Sequence, residues 1–219
     1  MQDPSFSCPI NDFPTSVEAP TGGLVGTTPF ICGGVIDTPT NSWDTRYDYQ
    51  NSCYILEENG EWKLDETAGL STPRKDAAAV IINTKLIIAG GYNGVNTLET
   101  IEVVAPNTPS VTLPMTLPVA TYGSCIVPWD NNTFMVIGGI SNSGHMRESY
   151  FFNMGNETMT NAPSMLQTRA FFGCNEMIVN GESYIIVAGG NSGSFEALKK
   201  SSFGNGWKEG NKWTIVQIE

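Results

Sequence analysis

Charged side chains are scarce in this sequence, and basic ones are the scarcest. Only 15% of the 219 residues are charged, and 11 Lys and Arg stand against 22 Asp and Glu, which gives a formal net charge of −11. A surface of this sign repels nucleic-acid phosphates and anionic lipid. The sequence also lacks an apolar run of the roughly eighteen residues that a membrane-spanning helix needs. We therefore expect no nucleic-acid partner and no membrane insertion.

The residues that usually bind metals are also few. His145 is the only histidine, and the five cysteines show no Cys-x-x-Cys spacing of the kind that holds zinc or forms a redox dithiol. No metal site and no cofactor are therefore predicted. The first residues, MQDPSFSCPINDF, have neither the basic start nor the apolar middle of a signal peptide.

An apolar run that ends on two glycines occurs four times. The stretches are TPFICGG, LIIAGG, FMVIGG and YIIVAGG, and their first glycines, Gly33, Gly90, Gly138 and Gly189, are 57, 48 and 51 residues apart. An apolar run stopped by Gly-Gly is typical of a short strand that ends in a tight bend. A period of about fifty residues fits one four-stranded sheet per repeat.

The order of elements within each repeat resembles the kelch repeat. The stretch STPRKDAAAVIINTKLIIAGGYNGVNTLETIE shows it best, and the tyrosine and tryptophan of the family's pattern are matched at Tyr54, Tyr150 and Trp62. The resemblance implies an all-β fold, a kelch-like β-propeller with four detectable blades, which is either a closed four-bladed ring or part of a larger propeller. Residues 23–219 would form the propeller, and residues 1–22 would be an N-terminal segment available for blade closure.

The cysteines fall at defined places in these repeats. Cys32 ends the second strand of the first blade and Cys53 begins the third, so we expect a disulfide between two antiparallel neighbours. Cys125 and Cys174 lie on the inner strands of consecutive blades, where we expect buried free thiols, and Cys8 is then left unpaired. The predicted disulfide favours an extracellular location, with a cytoplasmic one as the alternative.

Catalysis is not predicted. Galactose oxidase is an enzyme among kelch-like propellers, but its copper site needs histidine ligands that a chain with His145 alone does not provide. The sequence also has no G-x-S-x-G nucleophile elbow. We expect a protein that is not an enzyme.

Recognition is the predicted function, on the face formed by the loops that join strands two and three and by those that join one blade to the next. We expect a module for protein–protein interaction, with self-association if the propeller is open. The alternatives are a carbohydrate-binding or carbohydrate-modifying propeller related to galactose oxidase-like domains, and a truncated copy with a structural role. The repeats place an arginine at the start of two inner strands, with Ala120 or Thr121 in that place in the third repeat. The candidate ligand-binding residues are Trp43, Asp44, Arg46, Tyr47, Tyr49, Arg74, Tyr92, Asn93, Arg147 and Arg169.

Overall fold

Eighteen β-strands form the described part of the protein, which we analysed as a computed structural model. The structure describes residues 10–39, 45–200 and 212–216. No helix within these ranges is long and apolar enough to cross a membrane. Sixteen of the strands form four antiparallel sheets of four strands, and β3 and β4 form a separate two-stranded hairpin.

Each four-stranded sheet is one repeat, and we call the sheets blades 1 to 4. Blade 1 contains β1 (Thr21–Val25), β2 (Thr28–Cys32), β5 (Ser52–Leu56) and β6 (Trp62–Gly69). Blade 2 contains β7 (Ala78–Ile82), β8 (Lys85–Ala89), β9 (Thr100–Ala105) and β10 (Thr108–Thr116). Blade 3 contains β11 (Cys125–Pro128), β12 (Thr133–Ser141), β13 (Gly144–Asn153) and β14 (Thr158–Ala162). Blade 4 contains β15 (Gly173–Val179), β16 (Glu182–Ala188), β17 (Phe195–Lys199) and β18 (Thr214–Val216).

The predicted all-β fold of four kelch-like blades is confirmed, and the structure adds elements that the repeat pattern hid. The segment after the first Gly-Gly pair contains a hairpin, made of β3 (Val35–Pro39) and β4 (Thr45–Tyr49). The first inner strand, β1, has the sequence TGGLV, in which two glycines mask the apolar signal. In blade 4, β17 supplies the third strand that was not evident in the sequence.

The blades stack face to face in chain order. Their first strands lie side by side, with β1 next to β7, β7 next to β11 and β11 next to β15. Three apolar clusters fill the three interfaces between consecutive blades. Within the described residues no such cluster joins blade 4 back to blade 1. The described residues therefore form an open array.

The N-terminal segment lies on blade 1. The ring of Phe13 packs edge-on against Tyr54, at 4.8 Å between centroids, and against Trp62, at 5.1 Å. β18 completes blade 4 by pairing with β17. Residues 10–20 therefore cover part of the outer face of blade 1, which is the face turned away from blade 2.

The Gly-Gly pairs allow one blade to approach the segment that leads into the next blade. Gly90 has φ +67°, and a Cβ there would lie 2.2 Å from the Thr121 carbonyl oxygen. The following glycine, Gly91, donates its N–H to that same carbonyl at 2.9 Å. Both the positive φ and the close backbone contact require glycine, so the repeated motif is a structural device.

Two disulfides reinforce the array. Cys32 and Cys53 are paired neighbours on β2 and β5, 4.1 Å apart at Cα, and they form the bond expected within blade 1.

Cys125 and Cys174 also form a disulfide, with Cα atoms 6.0 Å apart, so the expectation of two free thiols there is wrong. The inner strands of blades 3 and 4 lie close enough for their side chains to be linked. This second disulfide crosses a blade interface. Cys8 lies outside the described residues.

The inter-blade disulfide should contribute strongly to stability. It closes a loop of 49 residues, which corresponds to about 4 kcal/mol of unfolded-state chain entropy. We predict that replacing both Cys125 and Cys174 by Ala lowers the free energy of unfolding in denaturant by about this amount. Non-reducing peptide mapping is the direct check, and alkylation of both thiols in the native, oxidised protein would contradict the assignment.

Candidate functional site

We call the end of the blades that carries the four Gly-Gly pairs the loop face. Here the segments that lead into each blade are joined by a ladder of backbone hydrogen bonds. Asp76 N–H donates to the Ala19 carbonyl at 3.2 Å, Gly123 N–H to the Asp76 carbonyl at 2.9 Å, and Phe171 N–H to the Gly123 carbonyl at 2.8 Å. All four residues have positive φ. Equivalent positions of the four repeats are thus connected in sequence.

A row of four aromatic rings lies on the loop face, and the rings come from four separate points of the chain. Its members are Tyr49, Tyr92, Tyr122 and Phe171, and we call it the aromatic row. Successive ring centroids are 5.9, 5.9 and 6.0 Å apart. The three tyrosines are partly buried, and Phe171 has 58% of its surface exposed. The row presents apolar ring surface together with phenol groups to a ligand.

Local backbone geometry holds these rings in place. The Tyr92 hydroxyl donates to the Gly94 carbonyl at 2.9 Å. A Cβ at Gly94 would come within 2.6 Å of the Tyr49 ring, so the absence of a side chain there lets that ring lie flat on the loop. Tyr49 is the last residue of β4 in the hairpin. The positions of Tyr49 and Tyr92 therefore depend on the backbone of the Gly94 turn in blade 2.

Two ionisable groups along the row are affected by burial. Burial raises the pKa of the Tyr49 phenol, an effect that Lys75 opposes, so the phenol is neutral at physiological pH. Burial likewise raises the pKa of the Asp76 carboxyl, Lys75 opposes the shift and Glu18 adds to it. Lys75 Nζ lies 3.9 Å from the Asp76 carboxylate. The row is thus flanked by a carboxylate that is partly removed from water.

Arg74 does not reach the loop face. Its guanidinium is buried, where it pairs with the Glu102 carboxylate and donates to the Gly90 carbonyl at 2.8 Å and to the Thr100 hydroxyl at 3.0 Å. Glu102 also accepts from the Ser71 N–H at 2.7 Å. Burial lowers the pKa of Arg74, and Glu102 opposes that shift. The assignment of Arg74 as a ligand-binding residue is corrected, because its donors are used to connect blade 1 to blade 2.

Arg169 has the same structural role between blades 3 and 4. It is fully buried, pairs with Glu196 at 3.0 Å and donates to the Gly189 carbonyl at 3.0 Å. Glu196 accepts from the Leu166 N–H at 2.6 Å. Its assignment as a ligand-binding residue is corrected for the same reason.

The boundary between blades 2 and 3 lacks this ion pair. Thr121 takes the place of the arginine, and its buried hydroxyl has no hydrogen-bond partner in the described structure. In blade 3, Tyr150 lies on the third strand, pairs with Val136 and packs towards blade 2. The equivalent residue of blade 2 is Glu102, which pairs with Ile88 and faces blade 1. Arginine and carboxylate are therefore replaced together, and this interface is held by apolar packing.

The other predicted ligand-binding residues differ in their positions. Tyr47 is 56% exposed on β4, two residues from Tyr49, and Arg147 is exposed near the start of β13. Asn93 is a turn residue whose side-chain oxygen accepts from the Val95 and Asn96 N–H groups at 3.0 and 2.8 Å. Trp43 and Asp44 lie outside the described residues, and so does the side chain of Arg46.

Two members of the aromatic row, Tyr122 and Phe171, were not predicted. Tyr122 lies one residue and Phe171 two residues after the arginine position of its repeat. Because the two offsets differ, the repeat pattern does not identify both rings. The described residues contain no group of three or more His, Cys, Asp and Glu side chains arranged to hold a metal ion.

The described residues form an array of four propeller-type blades with an aromatic loop face. Comparison with known proteins supports the blade assignment for one of these sheets. Residues 73–108, which comprise blade 2 up to the start of its last strand, match the family model of the Kelch motif. This match confirms the kelch resemblance of the sequence. Kelch repeats are typical of protein-interaction modules.

One curated protein is also similar to part of the chain. The chain is 25% identical over 108 residues to the spermatocyte protein spe-26 of Caenorhabditis elegans. The aligned segment is 49% of this chain and 19% of the relative. The match thus spans about a fifth of the length of that protein.

The buried ion pair between blades 1 and 2 provides a stability test. We predict that Glu102→Gln lowers the free energy of unfolding by about 3 to 5 kcal/mol, because it leaves the Arg74 guanidinium buried without a counter-charge. Chemical denaturation is the measurement. Glu57→Gln is the matched control, since its partner Lys63 is exposed and an exposed pair contributes less than about 1 kcal/mol. Equal losses in the two variants would contradict the structural role of the buried pair.

Asp76 provides a test of pH dependence. The pKa of the Asp76 carboxyl is raised in the folded chain, so the folded chain keeps the carboxyl proton to a higher pH than the unfolded chain does. Stability is therefore lost as the pH rises from about 4, the pKa in the unfolded chain, through the pKa in the folded chain. We predict that Asp76→Asn raises the denaturation midpoint at pH 7, and that the two proteins converge towards pH 3. Asn also tolerates the positive φ at this position. A lower midpoint for the Asn variant at pH 7 would contradict the account.

Proposed function

We propose that the protein is a protein-binding module whose partner docks across the aromatic row on the loop face. The observation that carries the proposal is the row itself, formed by rings from four separate points of the chain at spacings of about 6 Å. Tyrosine and phenylalanine supply much of the binding energy at protein interfaces.

The surroundings of the row support this proposal. Tyr47 is exposed close to one end, and Phe171 is exposed at the other. Lys75 and Asp76 form an ion pair that interacts electrostatically with Tyr49. A patch of rings with charged residues at its edge is the usual organisation of an interface, an apolar centre with a polar rim. The ligand class is a protein and not a cofactor.

We further propose that the protein acts outside the cell. Two disulfides, one within blade 1 and one between blades 3 and 4, support this location, because disulfides persist in oxidising compartments. The net charge of −11 favours a partner with a basic binding surface.

Phe171→Asn is the variant that tests the aromatic row. Asn accepts the positive φ of this position, so the backbone ladder is retained while the exposed ring is lost. Extracellular proteins from the source should be captured on immobilised wild-type chain and identified by mass spectrometry, and the Kd of each purified partner should then be measured. Loss of this exposed aromatic anchor should weaken binding by about thirtyfold, or 2 kcal/mol.

Val111→Asn is the matched control, because Val111 is a similarly exposed apolar residue on the outer strand β10. A partner that binds wild type and Val111→Asn equally and binds Phe171→Asn weakly supports the proposal. Partners that bind all three chains alike would contradict it. A glycan array probed with the same three chains tests the carbohydrate alternative, which predicts glycan binding that is lost only in Phe171→Asn.

A further inference from the structure

Within the described residues, each end of the blade array has an outer face that no other blade covers, and residues 10–20 lie on only part of the one on blade 1. Blades 2 and 3 are covered on both sides, whereas blade 1 has a neighbour only on the side of blade 2 and blade 4 only on the side of blade 3. We propose that the outer face of blade 4 docks on the outer face of blade 1 of a second copy, and that two copies close a ring of eight blades.

The outer face of blade 4 repeats most of the apolar pattern that blade 2 buries against blade 3, with Asn175 in the place of Val80. In blade 2, Ile101 pairs with Ala89 and is fully buried in that interface. In blade 4, Phe195 pairs with Ala188 at the equivalent place and is 37% exposed. Met177 on β15 lies on the same face and is 51% exposed. An apolar sheet face of this kind is stable when another layer covers it.

The fourth Gly-Gly pair is also uncovered. The glycines of the first three pairs are all buried, but Gly189 and Gly190 are exposed. In the three interfaces within the chain, the second glycine donates its N–H to a carbonyl of the next blade, as Gly91 does to Thr121 at 2.9 Å. Within the described residues, the Gly190 N–H has no such partner. Blade 4 therefore presents a donor that an additional blade would use.

Blade 1 presents the complementary acceptor. Val17 lies two residues before the ladder residue Ala19, just as Thr121 lies two residues before the ladder residue Gly123. Val17 is therefore the equivalent of Thr121. Its carbonyl has no hydrogen-bond partner among the described residues. If blade 4 of a second copy lies on blade 1 as blade 2 lies on blade 3, the Gly190 N–H of that copy meets this carbonyl.

The outer face of blade 1 is suited to an apolar interface. A groove of about 370 Å³ lies there, with Pro20, Pro29, Ile31 and Trp62 among its lining residues. Ile31 pairs with Tyr54 just as Val136 pairs with Tyr150 on the face of blade 3 that packs against blade 2. Neither face contains the buried arginine and glutamate of the other two boundaries. The contact between blades 2 and 3 is therefore the template for the contact between copies.

The symmetry of this contact sets the size of the assembly. Two different surfaces meet, so the interface is head-to-tail, and such an interface gives a ring only if the rotation closes. Four blades from each of two copies give eight, which lies within the usual range of four to eight blades for propellers. Closure at two copies covers all four outer faces of the pair and leaves the loop face accessible.

Native mass spectrometry and light scattering of the intact chain test the proposal. At about 10 μM chain we expect a particle of twice the 23.7 kDa chain mass. Met177→Asp places a charge in the contact and should raise the Kd of the dimer by about a hundredfold. Ile178→Asp is the matched control, since Ile178 is 73% exposed on the same strand but lies on the opposite face. This control should remain dimeric.

Mixing two interface variants distinguishes a head-to-tail contact from a face that pairs with itself. Met177→Asp alters the blade 4 end and Ile31→Asp alters the blade 1 end, and each alone should be monomeric. Leu24→Asp serves as the blade 1 variant if Ile31→Asp does not fold, because Leu24 is an exposed residue of β1. An equimolar mixture should recover a heterodimer with one unaltered interface.

Three results would overturn the proposal. A wild-type monomer at this concentration shows that the outer faces take no second copy, as would be the case if further blades of a longer polypeptide cover them. A ladder of larger oligomers shows that the contact does not close at two copies. A mixture that stays monomeric excludes the head-to-tail arrangement.

Discussion

Burial of apolar sheet faces between consecutive blades is the interaction on which the whole structure depends. A four-stranded sheet with two apolar faces is not stable alone, and each blade here buries at least one face against a neighbour. Ile87, for example, is fully buried between blades 2 and 3, and Ile185 is fully buried between blades 3 and 4. The loop face, the ladder and the aromatic row exist only where blades stack in this way.

Different boundaries reinforce this packing by different chemistry. Two boundaries contain a buried arginine that satisfies carbonyl groups of the next blade and is neutralised by a glutamate. The boundary between blades 3 and 4 also has a disulfide. Between blades 2 and 3 the polar pair is replaced by Thr121 and Tyr150, and apolar contacts are sufficient. The repeats thus share a backbone arrangement and vary the side chains that support it.

Much of the fold follows from the sequence because the Gly-Gly pairs are a local signal. Gly90 needs positive φ and close backbone contact, so its place in the sequence locates the end of β8. The site was harder to predict, because its residues are assigned by contacts distant in sequence. Arg74 meets Glu102 across 28 residues, and its burial follows from that contact, which the repeat pattern alone does not contain. The disulfide between Cys125 and Cys174 likewise depends on how closely two inner strands approach.

Hydrogen exchange of single glycine amides is the most direct test of the blade stacking. We predict that the Gly91 and Gly139 amides exchange as slowly as amides of the buried strand β8, because both donate to a carbonyl of the following blade. The Gly181 amide, in the exposed turn between β15 and β16, should exchange rapidly. Gly91 and Gly139 amides that exchange as fast as that of Gly181, while β8 stays protected, would show that the blades fold without docking on one another and would contradict the account.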